Sequence, residues 1–361
     1  MRMTELTYYP PETRVMPLTL LRRERMLPAP GDVLVQAGAR VEPADVVAEA
    51  EVGGQFRVFD IARHLRIPPA KAIRYLKKEQ DDEVKVGDVI ARGPGILPRQ
   101  VKSPVAGTIV GIDQRDGRVV IEVASKHVEL HAFIKGVVGN VLGNWGVVIE
   151  TPGALIQALW GIGGEAYGVL AVMTESPGEP LKASSIDIKA HRSLVVGGGW
   201  VIESAFEQAQ QLQLRGMIVG SIDSGLIELA KRMPFPIVVT EGVGQLPMAA
   251  PIFELLKAQD GREVSISATT RTRWGAQRPE ILIPLPSETR PPLPPTIGAP
   301  LTAGARVRVV RGPHTGKVGT VAAVPARAQR IETGTRVHGV EVLLASGATV
   351  FVPFANLELL R

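Results

Sequence analysis

Between Ser193 and Ala268 short apolar, largely β-branched runs alternate with amphipathic stretches of about ten residues, a rhythm that few folds accept. Ser193 to Val196 leads through Gly197, Gly198 and Gly199 into a helical pattern from about Glu203 to Leu214, which Gly216 is expected to close. Apolar runs recur at 217–220, 236–240 and 263–267, with helical patterns near 226–233 and 248–258 between them. Runs of four or five residues, each followed by a helix, predict a small parallel sheet covered by helices.

A chain of 361 residues predicts two or three domains. With 45% apolar residues the cores can be large, but aromatics at 4% make them aliphatic. There are no cysteines. Disulfides, thiolate zinc sites, cysteine-ligated iron–sulfur clusters and thiol catalysis are thereby excluded, and a reducing cytoplasm is the expected home. The N-terminal stretch, with Glu5, Pro10 and Pro11, lacks the apolar core of a secretory signal. Lys135, Glu150 and Glu165 leave uncharged gaps of 14 residues, too short to span a bilayer, so no membrane insertion is expected.

The net charge of +5 is uneven. Residues 301–361 carry eight Lys/Arg against three Glu, and the preceding 300 residues balance at 33 of each sign. Any attraction for polyanions is therefore concentrated in the last module.

In chain order, the segments 31–50, 84–92 and 101–112 read as short strands with glycine turns. They resemble the barrel-sandwich hybrid of biotinyl and lipoyl carrier domains, and more closely the non-carrier version found within the ion-pumping ferredoxin:NAD oxidoreductases. The resemblance covers about residues 25–125 with long insertions and implies a β barrel-sandwich hybrid over 1–125. Gly87, Gly107 and Pro104 also fit as plain turn and strand-start residues. A carrier presents a lysine some eleven residues before the position of Gly107, where Ile96 stands, so biotinylation and lipoylation are not expected.

An insertion at about 58–80 places Ile61, Ala62, Leu65, Ile67, Ala72, Ile73 and Leu76 on the apolar face of two short helices joined at Pro68 and Pro69. It resembles a helix-turn-helix, which would set its second helix in a DNA groove. Arg63, Arg66, Lys71, Arg74, Lys77 and Lys78 would line that face, but Arg66 occupies the usual turn glycine and the acidic run 79–83 follows. A helical hairpin that caps the barrel and keeps a solvated basic face fits the same residues. His127, Glu129 and His131 would suit a metal on a helix, but the alternation around them is that of a strand. No metal is expected, and short strands are expected over 128–174.

Within the α/β block, assigned to 126–278, the carboxyl ends of the parallel strands define a possible small-ligand cleft: Gly197, Gly198, Gly199, Ser221, Asp223, Glu241, Gly242 and Gly244. The glycines allow close backbone approach, and a helix start after Gly199 would offer N–H groups to an anion. Asp223 reads equally as a helix N-cap. The spacing is not GxGxxG and no Walker lysine follows. Ser221 and Ser265 lack a histidine partner, so no catalytic residue and no cofactor is assigned.

Eight prolines between 279 and 300 predict an extended, semi-rigid linker that detaches the last module. In that module, residues 304–321 resemble the KOW motif of NusG-type elongation factors and of a large-subunit ribosomal protein. The resemblance extends to the end of the chain through 350–359 and implies an SH3-like β-barrel over 301–361 whose loop meets RNA or a protein partner. Valines 307, 309, 318 and 321 alternate as a strand core, and Gly312, Gly316 and Gly319 shape the loop. Arg306, Arg308, Arg311, His314, Lys317, Arg327, Arg330 and Arg336 are the candidates for nucleic-acid or partner contact. The expected fold class is multidomain: a barrel-sandwich hybrid, a central α/β parallel-sheet domain and a C-terminal SH3-like barrel. The expected function is non-enzymatic binding of RNA, DNA or a ribonucleoprotein complex. A nucleotide- or anion-binding α/β protein with regulatory β modules, and an adaptor of a membrane or redox assembly, are the alternatives.

Overall fold

A computed structural model describes residues 8–95, 97–270, 277–287, 291–293, 298 and 300–360. Ile96, Pro294, Pro295 and Arg361 lie outside the described residues. The chain is mostly β, distributed over several sheets. Among the described residues no helix is long and apolar enough to cross a membrane.

The largest sheet has twelve strands and is mixed. Its backbone is the long strand Gly146–Gln157, which pairs antiparallel with Val15–Met26 over most of its length and with Glu280–Pro284 at its far end. The parallel part comprises Glu165–Val172, Leu194–Val196, Gly216–Ile222 and Ile237–Val243, with Leu170 opposite Leu194, Val196 opposite Ile218 and Val219 opposite Val239. These strands are almost wholly apolar because helices cover both faces. Glu203–Gln211 and Ile227–Ala230 pack Ala205, Phe206, Ala209 and Ala230 on one face, and Ala250–Lys257 packs Ile252, Phe253 and Leu256 on the other.

Two details depart from the expected α/β unit. Glu263–Ser267 does not extend the parallel set: it runs antiparallel between Glu165–Val172 and Glu280–Pro284. The preceding helix is only eight residues, about 12 Å, and delivers the chain to the carboxyl end of Glu165–Val172. There Gly261 N–H donates to Leu170 O and Leu170 N–H to Arg262 O, so the next strand must run back. Gly216 is not the stop of the helix Glu203–Gln211 either. Gln213, at φ 51°, takes the left-handed position, with Gln213 N–H donating to Gln210 O and Leu214 N–H to Ala209 O, the Schellman pattern. Gly216 begins the next strand, where a Cβ would press on Ile266 and Leu194.

The N-terminal region holds smaller sheets. Val46–Val52 pairs with Lys126–His131, and Phe56–Asp60, Arg118–Val123, Gly107–Asp113 and Glu83–Val84 form a four-stranded sheet. The insertion forms helices Ile61–Leu65 and Pro69–Ala72, whose Ile61, Ala62, Leu65 and Ala72 are buried with Ile109, Val119 and Ile121 of that sheet. Arg63, Arg66, Lys71, Arg74 and Lys77 stay exposed. Asp60 caps the first helix by accepting from Arg63 N–H, and Arg66 ends it in the left-handed region at φ 57°. The second helix continues as a single 3-10 turn over Ile73–Tyr75, so the two helical segments are five and seven residues long.

The C-terminal residues build a six-stranded sheet from Arg306–Val309, Val318–Ala323, Gly339–Leu344, Thr349–Pro353 and Leu357–Leu360, with Glu12–Thr13 added parallel to the last strand. The proline-rich segment does not hold this sheet away from the rest. Its Glu280–Pro284 is a strand of the large sheet, Pro292 O accepts from Leu20 N–H and Thr19 Oγ1, and Glu12–Thr13 clasps the final strand.

Arg66 tests the local backbone account. A left-handed conformation costs a side-chain-bearing residue about 1–2 kcal/mol, and glycine bears no such cost. Arg66→Gly is expected to raise the unfolding free energy by up to about 1 kcal/mol in urea titrations, although it removes a charged side chain.

Candidate functional site

The carboxyl ends of the parallel strands are filled by the protein's own backbone. Residues 174–181 and 244–249 fold over them, and the three consecutive glycines are the points of closest approach. A Cβ on Gly198 would stand 2.0 Å from Ser176 O, one on Gly197 2.7 Å from Leu181 Cβ, and one on Gly199 3.0 Å from Gly178 O. The N–H groups expected to meet an anion are already committed: Gly197 to Ile218 O, Gly198 to Thr174 Oγ1 and Gly199 to Glu179 O. Ser221 Oγ is buried and bridges Leu246 O and Leu246 N–H. Asp223 acts as the N-cap, accepting from Gly225 N–H at 2.9 Å. Gly242 and Gly244 take φ of 105° and 131°, which their turn requires.

Glu241 is buried, and its role is structural. Oε1 accepts from Ala249 N–H at 3.0 Å and Oε2 accepts from Arg308 Nη1 at 2.8 Å. Arg308, expected among the exposed cations, is 1% exposed and turned inward, a correction to the proposed phosphate-contacting set. Its Nη1 also donates to Thr240 O, and its Nη2 donates to Glu358 Oε2 at 2.6 Å. Glu358 in turn accepts from Arg278 Nη1 at 2.5 Å and from the Thr13 hydroxyl.

The physical reason is register. Arg308 and Glu358 are directly opposed on antiparallel strands, and their neighbours Val307, Val309, Leu357 and Leu359 fill the sheet's apolar core. The other face of this pair meets Glu241, so both faces of the strand are covered. Burial alone would raise the Glu358 carboxyl, but Arg308 and Arg278 outweigh it and hold the group below the ordinary carboxylate range. For Glu241 burial outweighs the shared guanidinium and the hydrogen bond from Ala249 N–H, and its carboxyl is pushed up. For Arg308 burial opposes the charge, and the two carboxylates more than restore it.

The remaining predicted cations face outward. Arg306, Arg311, Lys317, Arg327, Arg330 and Arg336 are exposed and make no salt bridge among the described residues; His314 is half buried. Arg311 and Lys317 lie in the loop joining Arg306–Val309 to Val318–Ala323. Arg330 and Arg336 lie on a separate two-stranded ribbon, Gln329–Arg330 with Arg336–Val337.

A further cleft, of about 550 Å³, brings together residues too far apart in sequence for periodicity to associate. Arg25 lies over Phe133, Arg215 lies over Tyr167, and Glu165 holds both Arg23 and Arg25. Phe133 adopts φ 70°, an uncommon conformation for a bulky residue, with its carbonyl accepting from Ser265 Oγ. His127 and His131 lie on a strand beside Glu49, Glu51 and Glu129. Among the described residues no group of three potential ligands is arranged to hold a metal.

Three outcomes follow from these contacts. Gly198→Ala is expected to lower stability by about 1–3 kcal/mol with no ligand present, because its Cβ meets backbone that cannot step aside. Arg308→Ala is expected to cost about 3–5 kcal/mol by stranding the buried Glu241 carboxylate and leaving Glu358 with Arg278 alone. The pH dependence of the network is read from Glu358→Gln against the parent at matched pH. Since the folded pKa of Glu358 lies below its ordinary 4.5, the parent's advantage is full above that value and shrinks as pH falls through the folded pKa. Chemical denaturation at pH 7, 5, 4 and 3 measures it.

No protein family, curated protein or solved structure gives a match to this chain.

Proposed function

We propose that the chain is a non-enzymatic, multidomain binding protein that engages nucleic acid or a nucleoprotein complex through a basic, KOW-like C-terminal barrel of SH3 type. The N-terminal strands would form a barrel-sandwich hybrid without a carrier lysine, and the α/β region a scaffold. The observation that carries this reading is the set of six exposed cations on residues 306–336, with only Glu332 as an exposed acid in the same module. Arg23, Arg25, Lys135 and Lys257, by contrast, have carboxylate partners. Unpaired cations at this density keep their charge available to phosphates, and each contact formed releases a counterion.

Deleting residues 301–361 would not test this cleanly. It would strand Glu241 and unpair Glu12–Thr13, so a loss of binding could reflect misfolding. Fluorescence anisotropy of the intact chain with labelled single-stranded RNA, titrated with salt, is the direct measurement. If all six cations each neutralise one phosphate, log K is expected to fall with log salt at a slope of about −4. Absence of binding at 50 mM salt would overturn the proposal.

A further inference from the structure

The exposed cations fall into two groups with different local physics. In the loop, Arg311 and Lys317 are separated by the turn at Gly312 and Gly316, whose φ values of 96° and 83° set its shape. On the ribbon, the register places Arg330 directly opposite Arg336. Side chains opposed in an antiparallel pair lie about 5 Å apart on one face, and like charges there oppose pairing. The ribbon has only two paired residues per strand with which to absorb that cost. Its closure depends on Ile331 N–H donating to Thr335 O and on a tight turn at Gly334, φ 86°, against which the Arg330 guanidinium lies. Neither arginine has a carboxylate partner among the described residues. Arg327 stands just before the ribbon and is also exposed.

We propose that this ribbon is the principal phosphate clamp of the protein, with Arg330 and Arg336 bracketing one phosphodiester and Arg327 reaching a neighbour. The inference rests on the nucleic-acid reading and narrows it. The bound partner is the sugar–phosphate backbone, taken without regard to sequence. Residues 325–338 contain no Phe, Tyr or Trp on which a base could stack. An anion between the two guanidiniums turns their mutual repulsion into a shared attraction, and arginine's planar fork suits phosphate geometry. The ribbon is then less stable alone than with its ligand.

The test uses the full chain, fluorescein-labelled oligo(U) and oligo(A) of twenty nucleotides, and three variants: Arg330→Ala with Arg336→Ala, Arg311→Ala with Lys317→Ala, and Arg336→Glu. The ribbon double variant is expected to bind at least about tenfold more weakly, with a salt slope shallower by about 1.4. The loop double variant should lose less, and the two oligonucleotides should bind within about threefold of each other. Arg336→Glu supplies the control for folding. It replaces a like-charged cross-strand pair with an opposite one, so its melting temperature should equal or exceed the parent's while its affinity falls. If the parent binds and the ribbon variant binds equally well, the ribbon assignment is overturned and the broader reading stands. A strong preference for one oligonucleotide would also overturn it. If the parent binds neither, both fall together.

Discussion

A single buried guanidinium joins the C-terminal sheet to the parallel strands of the large sheet. Arg308 comes from the C-terminal sheet, Glu241 from the carboxyl edge of the parallel strands, and Glu358 from the strand beside Arg308. Burying three charges costs several kcal/mol per ion unless each is met by partners at hydrogen-bond distance. Here the backbone of Thr240 and Ala249, the hydroxyl of Thr13 and the half-buried Arg278 supply them. The arrangement works in one docking geometry only. A shift of one residue in the strand of Arg308 would turn its side chain toward the valine core and take the guanidinium away from Glu241.

This lock explains why the proline-rich segment is not a hinge. A stiff spacer separates modules only when nothing else connects them. In this chain Glu12–Thr13 pairs with the last strand and Glu280–Pro284 pairs inside the large sheet, so residues from both termini share one structure. It also divides the basic character of the C-terminal residues in two: Arg308 serves cohesion inside, and six others keep their charge at the surface.

The parallel strands show how a general rule meets a particular chain. Open parallel sheets leave a crevice at their carboxyl ends because adjoining loops diverge there. Here the loops converge: Met248 N–H reaches both Pro177 O and Gly198 O, and Leu246 closes on Ser221. The glycine run serves that convergence, because any side chain at Gly198 would collide with Ser176.

Much of the local structure was legible in the residues themselves. The alternating valines 307 and 309, the apolar runs of 194–239, the Asp223 cap and the strand around His127 all follow from side-chain alternation and turn chemistry, which act over a few residues. Val318, expected in the same core as Val321, packs instead against the core of the large sheet. Arg66 at a turn suited to glycine was visible as an anomaly, and the chain bears it as a left-handed residue. Tertiary structure alone decided the rest. Arg306 and Arg308 share one phase of alternation, so pattern treats them alike. Yet the first is exposed and the second enclosed, because the end of a strand meets water and its middle meets whatever packs across it. The direction of Glu263–Ser267 and the partner of Glu241 likewise depend on contacts between residues tens of positions apart, where no local preference reaches.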